Sequence, residues 1–220
     1  MTLSIRLFIT LFTFLTINCA SNDDCKEGLN LLPMYGRQKK CTEQLNIDKD
    51  FFAECDLRFK NRKNASKFHT DKGWEYFYKN DFETSMKRFN QAWLLDSLNA
   101  DTYWGFGNIL GMRQQFKESI TLLEKSISLN STNPKVYESI STSFGQLFFI
   151  TKDIKYLNNS IDNLKKSIRL DPKNARAYGQ LTGAYSYFME QDSALKYLKL
   201  TDKLDSNAVN PEVRQMLTKK

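Results

Sequence analysis

The sequence has 220 residues, of which 41% are hydrophobic and 26% charged, a composition ordinary for a folded globular protein. Nine glycines and four prolines are too few for a disordered or loop-rich chain, and the single histidine leaves little material for histidine-based metal sites or catalytic triads. The net charge of +7 is spread along the chain with no dense Lys/Arg run interleaved with aromatics, so we expect no nucleic-acid partner.

Residues 1–18 have the pattern of a secretory signal peptide. Arg6 precedes an apolar run over residues 7–17, which as a helix would span only about 16 Å and is too short to cross a bilayer. The run ends in LTINC at residues 15–19, which resembles the lipoprotein signal of bacteria of the Bacteroidetes group. In that signal the cysteine is acylated and becomes the new N-terminus, although Asn18 stands here where Gly, Ala or Ser is usual. An ordinary cleaved signal followed by an incidental cysteine is the alternative.

This resemblance implies an exported chain with a lipid on Cys19, anchored to the bacterial outer membrane on its periplasmic side or at the cell surface. The acidic pair Asp23-Asp24 resembles a surface-export signal, and a simple polar tether is the alternative. Without Arg6, 31 of the 32 basic side chains remain against 25 acidic ones. This excess would suit an acidic partner or a membrane surface, or it reflects only a solvated helical surface rich in lysine.

The tether and N-terminal cap segment, residues 19–65, contains three further cysteines. Export permits a disulfide, and the odd count leaves at least one of these thiols unpaired. We favour the pair Cys25–Cys41, and other pairings stay open. The spacings of 16 and 14 residues between Cys25, Cys41 and Cys55 match no zinc pattern, so no metal site is expected.

The same segment shows signs of two local structures. Pro33 and Gly36 punctuate residues 31–36 and predict a turn or an extended stretch. Residues 48–59 have an amphipathic pattern that predicts a helix. Its apolar side consists of Phe51, Phe52, Cys55 and Phe59. We expect this helix to pack on the next part of the chain as an N-terminal cap.

From residue 66 the chain repeats a short phrase. The phrase starts with a leucine, continues with Asp or Asn, and reaches another Asn three or four positions after the leucine. Its leucines are Leu95, Leu129, Leu170 and Leu204. The spacing of 34, 41 and 34 residues indicates a helix–turn–helix unit, because 34 residues is the length of one such repeat. Local structure also explains why the phrase recurs, because its later Asn can cap the next helix.

Small residues recur inside each unit at the positions where two antiparallel helices must approach closely. Once the insertion in the third unit is allowed for, they are Gly73, Gly107, Ser141 and Thr182 at the eighth position, Ser85, Ser119, Ser160 and Ala194 at the twentieth, and Ala92, Ser126, Ser167 and Thr201 at the twenty-seventh. Large residues stand at the eleventh and twenty-fourth positions. This pattern resembles that of the tetratricopeptide repeat (TPR) family.

The resemblance implies an all-α fold, a TPR superhelix that is an α-solenoid of four helix–turn–helix units with N- and C-terminal helical caps. The TPR domain covers residues 66–208, and its units are 66–99, 100–133, 134–174 and 175–208. Residues 209–220 follow as a C-terminal capping helix. The third unit carries seven additional residues, near 148–154, which predict longer helices or a longer loop.

In this family the first helix of each unit lines the concave face, and certain positions point into a groove. By that resemblance the groove residues of the first two units are Trp74, Phe77, Tyr78, Trp104, Asn108 and Met112. Aromatic side chains give large contact areas and often dominate binding, and Asn108 could hydrogen-bond a peptide backbone. The third and fourth units contribute mainly polar residues. The alternative is that Trp74 and Phe77 pack beneath the N-terminal cap.

These features predict a non-catalytic scaffold that binds a protein or peptide in the groove and needs no cofactor. One TPR subclass grips a C-terminal carboxylate with lysine and asparagine, but Thr70 and Trp74 replace those residues in the first unit and Trp104 replaces the lysine in the second. A self-assembling structural part of an envelope complex is the alternative function. An enzyme is a third, weakly supported because no phosphate loop or nucleophile elbow is present and His69 falls at a helix-packing position.

Overall fold

The computed structural model describes residues 24–188 and 190–219. The predicted signal peptide, Cys19 and the first tether residues lie outside this part of the chain. Within it the chain is all-α, with ten α-helices and no strand, as predicted. None of these helices is long and apolar enough to span a membrane. The helices are α1 (Thr42–Arg58), α2 (Arg62–Tyr78), α3 (Phe82–Leu95), α4 (Ala100–Met112), α5 (Phe116–Leu129), α6 (Pro134–Thr151), α7 (Ile154–Leu170), α8 (Ala175–Tyr187), α9 (Gln191–Leu204) and α10 (Pro211–Thr218).

Asparagine side chains cap the first helix of every repeat unit. Asn99, Asn133 and Asn174 each accept a hydrogen bond of 3.0 Å from a backbone N–H in the first turn. Asn61 does the same for α2, accepting from the N–H of residue 64 at 2.9 Å. This cap starts α2 at Arg62, whereas the first unit is predicted to begin at residue 66. The repeated phrase has no copy ahead of the first unit, so the sequence pattern does not indicate the earlier start.

The two helices of a unit pack closely because small residues face each other. The Ser85 hydroxyl donates to the Gly73 carbonyl at 2.8 Å, and Ser119 donates to the Gly107 carbonyl at 2.8 Å in the next unit. All twelve predicted small positions are buried. Large side chains fill the space that remains between the helices. The fully buried ones include Phe89, Phe106, Leu123, Leu164 and Leu181.

The additional residues of the third unit lengthen both of its helices. α6 has 18 residues and α7 has 17, against 13 in α4 and 14 in α5. Only residues 152 and 153 separate α6 from α7, and Lys152 takes the left-handed conformation with φ 59°. This helix pair therefore extends further than its neighbours at the turn, where Phe149, Ile150 and Ile154 are exposed.

The N-terminal segment differs in detail from its prediction. α1 begins at Thr42 instead of residue 48, because the Gln44 side chain accepts a hydrogen bond from the Cys41 backbone N–H at 3.2 Å and satisfies a donor at the helix start. Residues 29–37 form two short 3-10 turns instead of a simple turn or extended stretch. Met34 and Tyr35 are buried there, each with a left-handed φ of 54°, so burial outweighs the local backbone preference.

Two attachments hold the start of this segment in place. Cys25 and Cys41 are joined by a disulfide with a Cα–Cα distance of 5.1 Å, which ties the segment to the start of α1. Asn90 of α3 donates from its side chain to the carbonyls of Asn30 at 3.0 Å and Leu32 at 2.9 Å. The segment is thereby fixed to the second helix of the first unit.

Apolar clusters cap both ends of the stack. At the N-terminal end, α1 places Cys55 against the first unit, in a cluster with Phe51, Phe52, Phe59, Ala65 and Leu95. At the C-terminal end, α10 and the residues before it cover the last unit. That cluster consists of Ala194, Leu198, Val209 and Leu217, with Tyr185, Leu195 and Val213 packed against it. Each terminal unit thus has a partner for its outward apolar side.

Candidate peptide-binding groove

The first helices of neighbouring units contact one another directly, as expected for the inner face of a curved stack. Trp74 of α2 and Trp104 of α4 have ring centroids 4.1 Å apart. Between the same two helices the Thr70 and Thr102 hydroxyls are 3.1 Å apart and buried. Trp104 also reaches α6, since its Nε1 donates to the Ser139 hydroxyl at 2.9 Å. These contacts join α2, α4 and α6 across one face.

Trp74 is the centre of an aromatic cluster on that face. Its ring centroid lies 5.3 Å from that of Phe77 and 6.0 Å from that of Tyr78. The spacing of three and four residues along α2 places these rings on the same side of the helix. Trp74 and Phe77 are partly buried, whereas 71% of Tyr78 is exposed. The cluster is therefore backed by the core and open to solvent at Tyr78.

Asn108 is held in a polar network beside Trp104. Its side-chain nitrogen donates to the Trp104 backbone carbonyl at 2.8 Å, and its oxygen accepts from the Ser139 hydroxyl at 3.1 Å. Among the described residues, one N–H and one oxygen lone pair of the amide have no hydrogen-bond partner and could bond a ligand. Ser139 is absent from the predicted groove set, because a single small polar residue leaves no pattern in the sequence. Met112 lies one turn further along α4 with 56% of its surface exposed.

The N-terminal cap makes its contacts away from the exposed side of this cluster. The ring contacts of Trp74 within the described residues are with Phe77, Tyr78, Phe89 and Trp104. Met34 of the N-terminal segment enters the same core cluster as Phe89, and Trp74 and Phe77 pack against that cluster at its margin. These aromatics thus back onto a core shared with the cap segment, while Tyr78 faces solvent.

The third and fourth units continue the face with polar groups. Glu138 of α6 is buried, and its carboxylate accepts from the Asn174 side chain at 2.5 Å. The Arg176 guanidinium lies 3.6 Å from the same carboxylate and is itself exposed. Thr142 and Gln146 are exposed on α6. An aromatic half therefore adjoins a half that can form hydrogen bonds and ion pairs.

Groups suited to catalysis or metal binding lie elsewhere or are not assembled. Among residues 24–188 and 190–219, no three His, Cys, Asp or Glu side chains group closely enough to hold a metal ion. His69 is buried at the N-terminal cap, with its ring centroid 5.2 Å from that of Phe51 and 5.3 Å from that of Phe68. Burial lowers the pKa of His69 to about 4, and the charge of Arg88 acts in the same direction, whereas contact with Gln91 opposes it.

Comparison with solved structures identifies the fold. A crystal structure of MamA matches with a TM-score of 0.56 and 18% identity, over 73% of this chain and 87% of that one. A thermophilic TPR protein of Thermus thermophilus matches with a TM-score of 0.59 and 17% identity, over 69% and 79%. An O-GlcNAc transferase mutant of Thermobaculum terrenum matches with a TM-score of 0.53 and 17% identity, over 64% of this chain but only 27% of the transferase. No family model and no curated protein matches the sequence.

These likenesses establish an all-α TPR solenoid, so the fold-class prediction is confirmed. Because the sequence identities are below 20%, these structures say nothing about the activity of this chain. The match to the transferase covers about a quarter of that enzyme, which means that this fold also occurs as one part of a catalytic protein. The function of the present chain has to be argued from its own groove.

Proposed function

We propose that this protein is a non-catalytic interaction scaffold that binds a peptide or a protein segment in the groove formed by α2, α4 and α6. One observation carries the proposal, namely the contact of Trp74 and Trp104 across two units, with Tyr78 and Met112 exposed beside them. An aromatic surface that is already packed against a core loses little conformational freedom when a ligand covers it. Such surfaces commonly provide the residues that dominate a protein interface.

The groove favours a ligand with an apolar anchor followed by polar groups. The anchor would lie against Trp74, Phe77 and Tyr78, and the free N–H and lone pair of Asn108 would bond the backbone of an extended segment. Arg176 at the far end would favour an acidic group, because it is exposed and its ion pair with Glu138 is long at 3.6 Å. The proposed ligand is thus an extended segment with a large apolar residue and an acidic residue beyond it.

Site-specific photocrosslinking tests this proposal. A photoreactive amino acid replaces Tyr78, which is exposed in the groove, and in a matched control it replaces Leu57, which is 88% exposed on α1. Irradiation of the native envelope is expected to join the Tyr78 position to one defined partner and to leave the Leu57 position without it. Equal labelling of the same partners from both positions would contradict the groove.

We also propose that the chain is exported and anchored to the bacterial outer membrane through a lipid on Cys19. The support is the apolar run of residues 7–17, which is followed by Asn18 and then by this cysteine. Multiple acylation of the cysteine would give stable anchoring, because a single chain binds membranes only marginally. Mass spectrometry of the native protein should find an N-terminal acylated Cys19. An unmodified chain that starts at another residue would contradict the lipid anchor.

Self-assembly is the second candidate, and the end of the third unit favours it. Phe149, Ile150 and Ile154 are exposed there, and the Phe149 ring centroid lies 4.9 Å from that of Tyr187. A contiguous apolar patch on a monomer often marks a contact site. Light scattering should then show association that Ile150→Lys abolishes, and a monomer at all concentrations would exclude this candidate.

A further inference from the structure

A cavity of about 310 Å³ lies between α1 and the first repeat unit, apart from the groove. Three phenylalanines form its apolar walls, Phe51 and Phe59 from the cap segment and Phe68 from α2. This volume is at the small end of the range for ligand-binding cavities in proteins. The cavity also contains the one histidine of the sequence, His69, and the buried thiol of Cys55.

The histidine has an unused hydrogen-bonding atom that is shielded from bulk water. His69 is only 7% exposed, and its Nδ1 has no hydrogen-bond partner among the described residues. Its other nitrogen, Nε2, lies 3.9 Å from the Cys55 sulfur. Burial raises the pKa of the Cys55 thiol, so the thiol keeps its proton and can donate it to Nε2. A neutral ring that accepts at Nε2 carries its own proton on Nδ1. The Gln91 side chain interacts with this ring, but its oxygen is engaged by Arg88 at 3.0 Å, and no acceptor lies within hydrogen-bond distance of Nδ1 among the described residues.

Basic side chains outnumber acidic ones in the lining of this cavity. Three basic side chains, Arg58, Lys72 and Arg88, line the cavity together with one carboxylate, Glu54. Arg58 is paired with Glu54 at 2.6 Å, and Lys72 is paired with a carboxylate outside the lining, that of Glu75, at 2.6 Å.

Arg88 is the basic residue of the lining without a carboxylate partner. Its guanidinium donates at 3.0 Å to the neutral side chain of Gln91 and forms no ion pair in the part of the chain that the structure describes. A guanidinium binds oxyanions with strong charge-assisted hydrogen bonds. Tyr76 also lines the cavity.

We propose that this cavity binds the oxyanion of a small organic acid, a carboxylate or a phosphate ester, with an aromatic or aliphatic group attached to it. Arg88 holds the oxyanion, a small movement of the lining side chains brings the buried Nδ1–H of His69 within its reach, and Phe51, Phe59 and Phe68 contact the apolar group. The ligand thereby supplies the acceptor that the buried ring lacks, and it bridges α1 to α2 and α3. Occupancy would strengthen the attachment of the N-terminal cap to the repeat domain.

Nuclear magnetic resonance on the full chain tests the site, because His69 is the only histidine and its ring signals are unambiguous. The probes are benzoate and phenyl phosphate, with inorganic phosphate as the probe that lacks an apolar group. We expect saturable shifts of the His69 ring signals with at least one aromatic probe, and the tighter of the two identifies the headgroup. Inorganic phosphate is expected to bind at least about tenfold more weakly, because it forgoes the contacts with the three phenylalanines.

Arg88→Gln and Lys117→Gln form a matched pair of variants, since each removes one positive charge and Lys117 is exposed on α5 outside the cavity. Arg88→Gln should weaken binding by about tenfold or more, whereas Lys117→Gln should leave it within about twofold. Circular dichroism confirms that both variants are folded. The proposal is overturned if no probe shifts the His69 signals, if the two variants behave alike, or if inorganic phosphate binds as tightly as the tighter of the two aromatic probes.

Discussion

At the residue scale, His69 makes the stability of the protein depend on pH. Its pKa in the folded chain is about 4, while an unfolded chain has the ordinary value near 6.5. Between these two values the unfolded state binds a proton that the folded state does not. The free energy of unfolding therefore falls as the pH drops through this window, by up to about 3 kcal/mol, and is unaffected by His69 above it.

The comparison that isolates this effect uses His69→Gln, which cannot take up a proton. Urea unfolding at several pH values should give a free energy that declines more steeply for the original protein than for the variant, between about pH 6.5 and about pH 4. The charged neighbours Arg88, Glu54 and Arg58 are present in both proteins, so their contributions cancel. Parallel curves for the two proteins would show that the ring is not held neutral by burial.

At the scale of single helices, the close approach of the two helices in each of the first two units depends on a glycine, Gly73 or Gly107, at which an added Cβ would clash. A Cβ added at Gly107 would lie 2.6 Å from Leu123 Cγ and 3.2 Å from the Ser119 backbone carbonyl. A Cβ added at Gly145 on α6 would meet its nearest neighbour, the Ser160 hydroxyl, at 3.9 Å. We expect Gly107→Ala to lower the free energy of unfolding by about 1–3 kcal/mol, because α4 and α5 must separate.

Gly145→Ala is the matched control, and there the better helix propensity of alanine should stabilise the protein by up to about 1 kcal/mol. Denaturant unfolding of both variants gives the two values side by side. Equal effects of the two substitutions would mean that the small residues of the repeat do not set the distance between helices.

The attachment of α1 to the body is a second property of this scale. The Cys25–Cys41 disulfide closes a loop of 16 residues, for which chain entropy predicts about 3 kcal/mol of stabilisation. Reduction should therefore destabilise the original protein, and it should have no further effect on a variant with both cysteines changed to serine. Hydrogen exchange should locate the loss mainly in α1. If reductant leaves the stability of the original protein unchanged, the pairing of Cys25 with Cys41 is contradicted.

At the scale of the whole molecule, the repeat could be predicted from sequence because it depends on periodic features. The Asn caps and the small residues at fixed positions recur in each unit, and each copy supports the others. The start of α1 was missed because Cys41 is not a usual capping residue and its backbone N–H is satisfied by Gln44. The left-handed conformation at Met34 and Tyr35 depends on burial against distant residues, which local sequence does not reveal.

The candidate groove also combines residues that could be predicted from the sequence with residues that could not. Trp74, Phe77 and Tyr78 could be placed together because helical spacing puts them on one face of α2. Ser139 could not, because it is joined to Trp104 and Asn108 only across the boundary between two units. The cavity at His69 also escaped prediction, since its walls come from α1, α2 and α3 and its unpaired nitrogen is visible only in three dimensions.

The central claim, binding in the groove, is tested most directly by the affinity for the crosslinked partner once that partner is purified. Calorimetry compares the original protein with the variant Trp74→Ala/Trp104→Ala, with Tyr78→Ala/Met112→Ala, whose side chains are largely exposed, and with the control Leu57→Ala. We predict that the first variant abolishes binding, that the second weakens it by about tenfold or more, and that the control leaves it unchanged. Unchanged affinity in both groove variants would contradict the claim.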